Sequence, residues 1–128
     1  MLPTLVVSSG LLLAQARPSL PLRPGTYVVS SVQCDGAPFA VTKFWNGSAF
    51  SDPHDSACTT KILQARGTEY RLDTVCRAEG DGTPSAPSHE RARVKLMDRQ
   101  TFEFFPVVQG VTAKPTAFRW CSAEASGK

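Results

Sequence analysis

Cys58–Cys76 reads CTTKILQARGTEYRLDTVC, two strand-like runs folded about Gly67. In the second run Tyr70, Leu72 and Cys76 share one parity, while Glu69, Arg71, Asp73 and Arg77 share the other. That is the period-two pattern of a strand with one dry and one wet face. The first run is less regular, with Ile62 and Leu63 adjacent. A three-residue turn through Arg66, Gly67 and Thr68, with glycine at the positive φ such turns require, fixes a register. It sets Ile62 against Leu72, Gln64 against Tyr70, Thr60 against Thr74, and Cys58 against Cys76. The register that matches apolar side chains also matches sulfurs, and the close antiparallel pair suits a disulfide. A Cys58–Cys76 bridge is expected, with two reduced, buried thiols as the alternative. Cys34 then joins Cys121 by default.

Outward from this hairpin, other strand signals recur. Gly25–Cys34 is rich in β-branched and aromatic residues and reads as a first strand. Phe39–Trp45 alternates, placing Phe39, Val41 and Trp45 on one side. Asn46-Gly47 is a strong signal for a two-residue type I′ turn, which aligns Val41, Lys43 and Trp45 with Ser48 and Phe50. Trp45 and Phe50 are expected to share a core face. Glu90, Ala92, Val94 and Leu96 alternate with Arg91, Arg93, Lys95 and Met97, and Thr101–Phe105 follows. A three-residue loop at 98–100 sets Leu96 against Phe102, Val94 against Phe104 and Lys95 against Glu103. A two-residue loop would set Val94 against Glu103 and spoil the dry face. Residues 106–115 are part strand and part turn, and Thr116–Cys121 is a last short strand.

The intervening stretches are polar. Ser51–Ala57 is a loop, and Ala78–Ser88 (AEGDGTPSAPS) is a long Gly/Pro/Ser-rich connection, read as either a mobile arm or a contact loop. No helical periodicity appears after the N-terminal apolar stretch. The expectation is an all-β antiparallel domain, a small barrel or sandwich of about seven to eight strands, stapled by disulfides. A simple eight-stranded up-and-down barrel conflicts with the second bridge. With Cys34 and Cys121 at the far ends of antiparallel neighbours, they would lie roughly 23 Å apart at about 3.3 Å per residue.

At the N-terminus, Leu5–Ala14 is too short to span a bilayer as a helix, and Ala14-Gln15-Ala16 has the small-x-small form of a cleavage site. Residues 1–16 are therefore expected to be an export signal cut after Ala16, leaving 17–128 as one secreted or periplasmic domain. Within it, 17–24 (RPSLPLRP) is a Pro-rich leader and 122–128 a frayed tail. No second segment is apolar enough to cross a membrane. Four cysteines in an exported chain form an even, bridge-capable set.

Chemistry-bearing motifs are scarce. His54 lies among Asp52, Asp55 and Ser56, and His89 precedes Glu90, but their spacing fits no metal signature. A Ser-His-Asp set built from Ser56 and either histidine has no nucleophile elbow. There is no phosphate loop and no HExxH or Cys-x-x-Cys motif, so no catalytic, metal or cofactor residue is assigned. Asn46-Gly47-Ser48 matches the glycosylation acceptor pattern, although turn chemistry explains it without a glycan. Lys61, Arg71, Arg91, Arg93 and Lys95 fall on wet faces. If their strands are neighbours, they form a cationic strip, interleaved with Glu69, Asp73 and Glu103. The net charge of +3 permits an acidic partner. No exposed aromatics are placed for base stacking, which argues against nucleic acid.

Two functions remain. One is an exported, non-enzymatic protein-binding or inhibitor-like domain that presents loops 51–57 and 77–89 to an unknown protein partner. The other is a polyanion- or envelope-associated protein that uses the basic face on an anionic surface. In general build the chain resembles the small periplasmic β-proteins of bacteria that inhibit lysozymes or proteases. It carries no defining motif of those families, and no site residue follows from the resemblance.

Overall fold

Strand-forming stretches occupy most of the chain. The structure, a computed structural model, describes residues 2–5 and 19–125. The expected export signal, its cleavage point after Ala16 and the last three residues of the tail lie outside the described residues, residues 2–5 aside. Among the described residues there are nine strands. They are β1 (Gly25–Val29), β2 (Thr42–Trp45), β3 (Phe50–Ser51), β4 (Asp55–Arg66), β5 (Glu69–Glu79), β6 (Pro84–Asp98), β7 (Thr101–Val108), β8 (Val111–Thr112) and β9 (Thr116–Ser122). The other regular element is a single 3-10 turn, Phe39–Val41.

Antiparallel pairing runs β3-β2-β1-β9-β7-β6-β5-β4, with β8 hanging off β7. This is an up-and-down meander whose first and last strands meet, nearly closed into a barrel. The remaining seam lies between β3 and β4. It begins as a tight reversal, with Asp52 N–H on Asp55 O and Asp55 N–H on Asp52 O. Ala57 then takes a left-handed backbone (φ 52°), rare for a residue with a Cβ, at the start of β4. Beyond it a side chain continues the seam. Phe50 N–H donates to Thr60 Oγ1 at 2.9 Å, and Thr60 Oγ1 lies 2.9 Å from Thr74 Oγ1.

The barrel is filled by rings. Tyr27, Trp45, Phe50, Phe102, Phe104 and Phe118 are all buried, and Phe102 is 5.1–5.5 Å, centroid to centroid, from Tyr27, Phe118 and Phe50. Leu72, Ala92, Val94 and Leu96 complete the wall from β5 and β6. Residues 19–24 of the Pro-rich leader have no regular structure, as their prolines dictate, but they are no mere approach to the fold. Leu20 and Leu22 are buried in the same core, on either side of Pro21. The segment is tied down at several points. Leu22 O accepts Trp45 Nε1–H, Arg23 O accepts the Tyr27 hydroxyl, Arg23 N–H reaches Arg99 O, and Pro24 O accepts Trp120 Nε1–H. The Arg23 guanidinium lies 3.6 Å over the Trp120 ring. The leader plugs one end of the barrel.

Both bridges form, Cys58–Cys76 and Cys34–Cys121. The apparent conflict over the second one comes from the length of β1, which ends at Val29 rather than Cys34. The chain reverses there, with Val32 N–H on Val29 O, and returns along the outer side of β9. Arg119 holds it, with Nη1 donating to Cys34 Sγ and Nη2 to Val32 O. Val28 and Phe44, of outward parity, are both buried on that outer side.

Several registers need correction. Cys58, Thr60 and Ile62 face Cys76, Thr74 and Leu72 as expected, but a bulge at Leu63 shifts the tip. Gln64 therefore faces Arg71, Ala65 faces Tyr70, and the turn is the two residues Gly67 and Thr68. The β6–β7 pairs Leu96–Phe102, Lys95–Glu103 and Val94–Phe104 are as expected, with an irregularity beside the turn. Asn46-Gly47 does not make a two-residue turn. Trp45 faces Phe50 across a four-residue loop, because the Asn46 carboxamide accepts from Ser48 N–H and Ala49 N–H and winds the chain locally. Trp45 and Phe50 still share the core, 4.7 Å apart. Phe39, expected on the core side of a strand, stands 64% exposed in the 3-10 turn that Pro38 starts. Ser122 belongs to β9, and Thr26 Oγ1 holds Glu124 O, so the expected fraying from 122 does not begin there.

Burial, offset by the nearby Arg23 charge, pushes the Tyr27 hydroxyl from about 10 up to about 12. The folded chain thus keeps this proton more tightly than the unfolded one. Its stabilising effect is intact below about pH 10 and is lost as pH rises toward 12. Urea midpoints measured from pH 8 upward should fall across that window, and Tyr27→Phe should flatten the fall. An equally steep fall in the variant would place its origin elsewhere.

Candidate functional site

Strands β4, β5 and β6 are neighbours, so the outward side chains expected to form a cationic strip do share one face. Three cross-strand rows compose it. Lys61 faces Asp73, which faces Arg91; Gln64 faces Arg71, which faces Arg93; and Arg66 faces Glu69, which faces Lys95 and then Glu103. The outer rows alternate in sign. The middle row sets two arginines directly opposite each other. Arg93 has an ion pair with Glu69 at 3.2 Å, on an exposed face where such a pair contributes about 0–1 kcal/mol. Asp73 Oδ1 is buried without a hydrogen-bond partner between its two basic neighbours.

The middle row lies in a groove of about 590 Å³. Its far wall is the β7–β8 hairpin, which the sequence left ambiguous. Val108 faces Val111 across Gln109 (φ 51°) and Gly110 (φ 77°), the left-handed pair a two-residue hairpin turn requires. Val107 and Thr112 from this hairpin, with Gln64 and the bulged Leu63 opposite, enclose Arg71, Arg91 and Arg93.

A second surface occupies the barrel end away from the leader. The two loops proposed as contact elements meet there. Asp55 pairs with Glu79, Ser56 Oγ donates to Glu79 O, and Gly80 sits so close to Pro53 that a Cβ would lie 1.7 Å from Pro53 O. Only glycine permits that approach. The connection itself is shorter than the sequence suggested. Pro84 already faces Ala78 and Ser88 faces Cys76, so the turn is confined to residues 80–83. Residues 84–91 pair without burying either face, which leaves no period-two signal to read. Proline is tolerated there, at the strand's first residue and at an irregularity in the ladder. Asp81 Oδ1 accepts Thr83 N–H, and the Thr83 backbone and hydroxyl hold this carboxyl below its usual range. The ring of His54 meets Phe39 edge-on at 5.9 Å. Pro53, His54, Glu79 and Asp81 border a shallow, open cleft of about 560 Å³. The Cys58–Cys76 bridge fastens the strands beneath.

Inside the mouth at this end lies a smaller pocket, about 120 Å³. Lys43, on an inward position of β2, places Nζ 3.4 Å from Glu90 and 4.0 Å over the Phe104 ring. No sequence motif singles out Lys43. Its inward parity with Trp45 was the available signal. His54 and His89 do not converge with other ligands, since no group of three or more His, Cys, Asp or Glu side chains suited to a metal occurs among the described residues. No helix among them is long and apolar enough to cross a membrane.

No family model, curated protein or solved structure matches this chain.

Proposed function

We propose that this is an exported, non-enzymatic binding protein of inhibitor-like kind, recognising a protein partner through the rim formed by loops 51–57 and 77–89. One observation carries the reading. Two loops far apart in sequence pack into one body, through the Gly80–Pro53 approach, on a base stapled by Cys58–Cys76. A preset rim loses little conformational entropy on binding. Its exposed features are the Phe39 ring, His54 and the carboxylates of Glu79 and Asp81, beside a half-buried Pro53, and they suit a partner with a basic, concave surface. Two disulfides in a small domain, and an N-terminus of export-signal form, support an oxidising compartment.

The test is affinity capture from exported and envelope proteins with the 17–128 chain. It compares wild type, Gly80→Ala combined with His54→Ala, and Arg91→Glu combined with Arg93→Glu. A protein captured saturably by wild type and by the arginine variant, and lost by the rim variant, is the expected result. Loss confined to the arginine variant would overturn the rim as the recognition surface.

A further inference from the structure

The groove on the outer face of β5 and β6 faces away from the core and is built around two arginines that the register sets against each other, with a third beside them opposite Asp73. The register sets Arg71 directly opposite Arg93, and Arg91 follows two positions along the same face. Like charges directly opposite in an antiparallel pair destabilise a sheet. Among the described residues Arg93 alone of the three has an ion pair. Arg71 and Arg91 present guanidinium groups, which form strong two-point hydrogen bonds with carboxylates. The walls are not uniformly polar. Leu63 is 51% exposed on one wall beside Gln64, and Val107, facing Thr112, lines the other.

We infer that this groove binds an extended acidic peptide segment of a partner protein, with carboxylates on Arg71 and Arg91 and an intervening apolar side chain against Leu63 and Val107. Alternation is the natural reading of such a groove, since an extended segment sends successive side chains to opposite sides. The amide of Gln64 and the hydroxyl of Thr112 supply partners for its backbone. A sulfated or phosphorylated glycan would use the arginines but has nothing to place against Leu63 and Val107. This site lies apart from the loop rim and stands or falls independently of it.

The experiment is fluorescence anisotropy with a labelled hexapeptide alternating glutamate and valine, titrated with the oxidised 17–128 chain at low and high salt. Saturable binding that weakens with salt is expected, with none for the glutamine-for-glutamate peptide. Arg71→Gln with Arg91→Gln should weaken binding roughly tenfold or more, the loss of charge-assisted hydrogen bonds. Lys61→Gln with Lys95→Gln removes the same charge from the same face outside the groove and should change it by less than about twofold. Equal loss in both pairs would reduce the effect to net charge and overturn the site. Retention on heparin without peptide binding would overturn the choice of peptide. Self-association abolished by Arg71→Gln with Arg91→Gln would overturn it too, because a second copy would then fill the groove. Melting gives a separate check. Arg71→Gln should melt at the wild-type temperature or roughly 1–5 °C higher, from relief of the opposed pair. A lower melting point would make Arg71 a structural residue and overturn the inference.

Discussion

Removing the Cys34–Cys121 bridge, by changing both cysteines to alanine, is expected to destabilise the protein more than removing Cys58–Cys76 in the same way. The two bridges close stretches of very different length, with sequence separations of 87 and 18. In the chain-entropy account these restrict the unfolded chain by about 4.6 and about 3.2 kcal/mol respectively. Either is a large share of the roughly 5–15 kcal/mol that holds a domain folded. The folded state adds to the difference. Without its bridge, the returning segment after β1 is held over β9 by the hydrogen bonds from Ser30 N–H to Ala117 O and from Arg119 to Val32 O. Urea denaturation of the two double variants, followed by tryptophan fluorescence, measures the order directly. A greater loss from the central hairpin would show that the long closure contributes little and that local packing around Cys76 dominates.

Phe102→Ala should cost about 3–5 kcal/mol, the range for deleting a fully buried phenylalanine. Phe102 has no exposed surface, and its ring touches those of Tyr27 on β1, Phe50 on β3 and Phe118 on β9. Its loss leaves a void bordered by three strands that cannot collapse together without breaking their ladders. Phe39→Ala, at a ring 64% exposed, should change stability by no more than about 0.5 kcal/mol. Comparable midpoints for the two variants would mean that the barrel interior repacks freely and is not set by its rings.

What the sequence made legible follows from which elements bury one face. Strand β5 and the β6–β7 hairpin alternate cleanly, so the central registers of both hairpins, including the opposed sulfurs, are legible in the sequence. The same parity brought Lys61, Arg71, Arg91, Arg93 and Lys95 to one face, while the bulge at Leu63 that reshapes it showed only as the adjacency of Ile62 and Leu63. Elements governed by side-chain hydrogen bonds were read less well. The Asn46 carboxamide overrode the turn its neighbour Gly47 suggested, whereas Gln109-Gly110, a weaker signal, makes the left-handed turn. The leader was read as peripheral because three prolines forbid regular structure. Yet irregular backbone can still carry Leu20 and Leu22 into a core. The β5–β6 turn looked long because paired strands exposed on both sides carry no hydrophobic code.

The seam beside β3 has a thermodynamic consequence. Elsewhere a strand must surrender a run of peptide bonds before it parts from its neighbour, but here the wall is stitched beyond Asp55 by the relay from Phe50 through Thr60 to Thr74. Breathing of the cylinder therefore starts at this stitch, and its amides are the ones that trade protons with the medium before the rest of the wall opens.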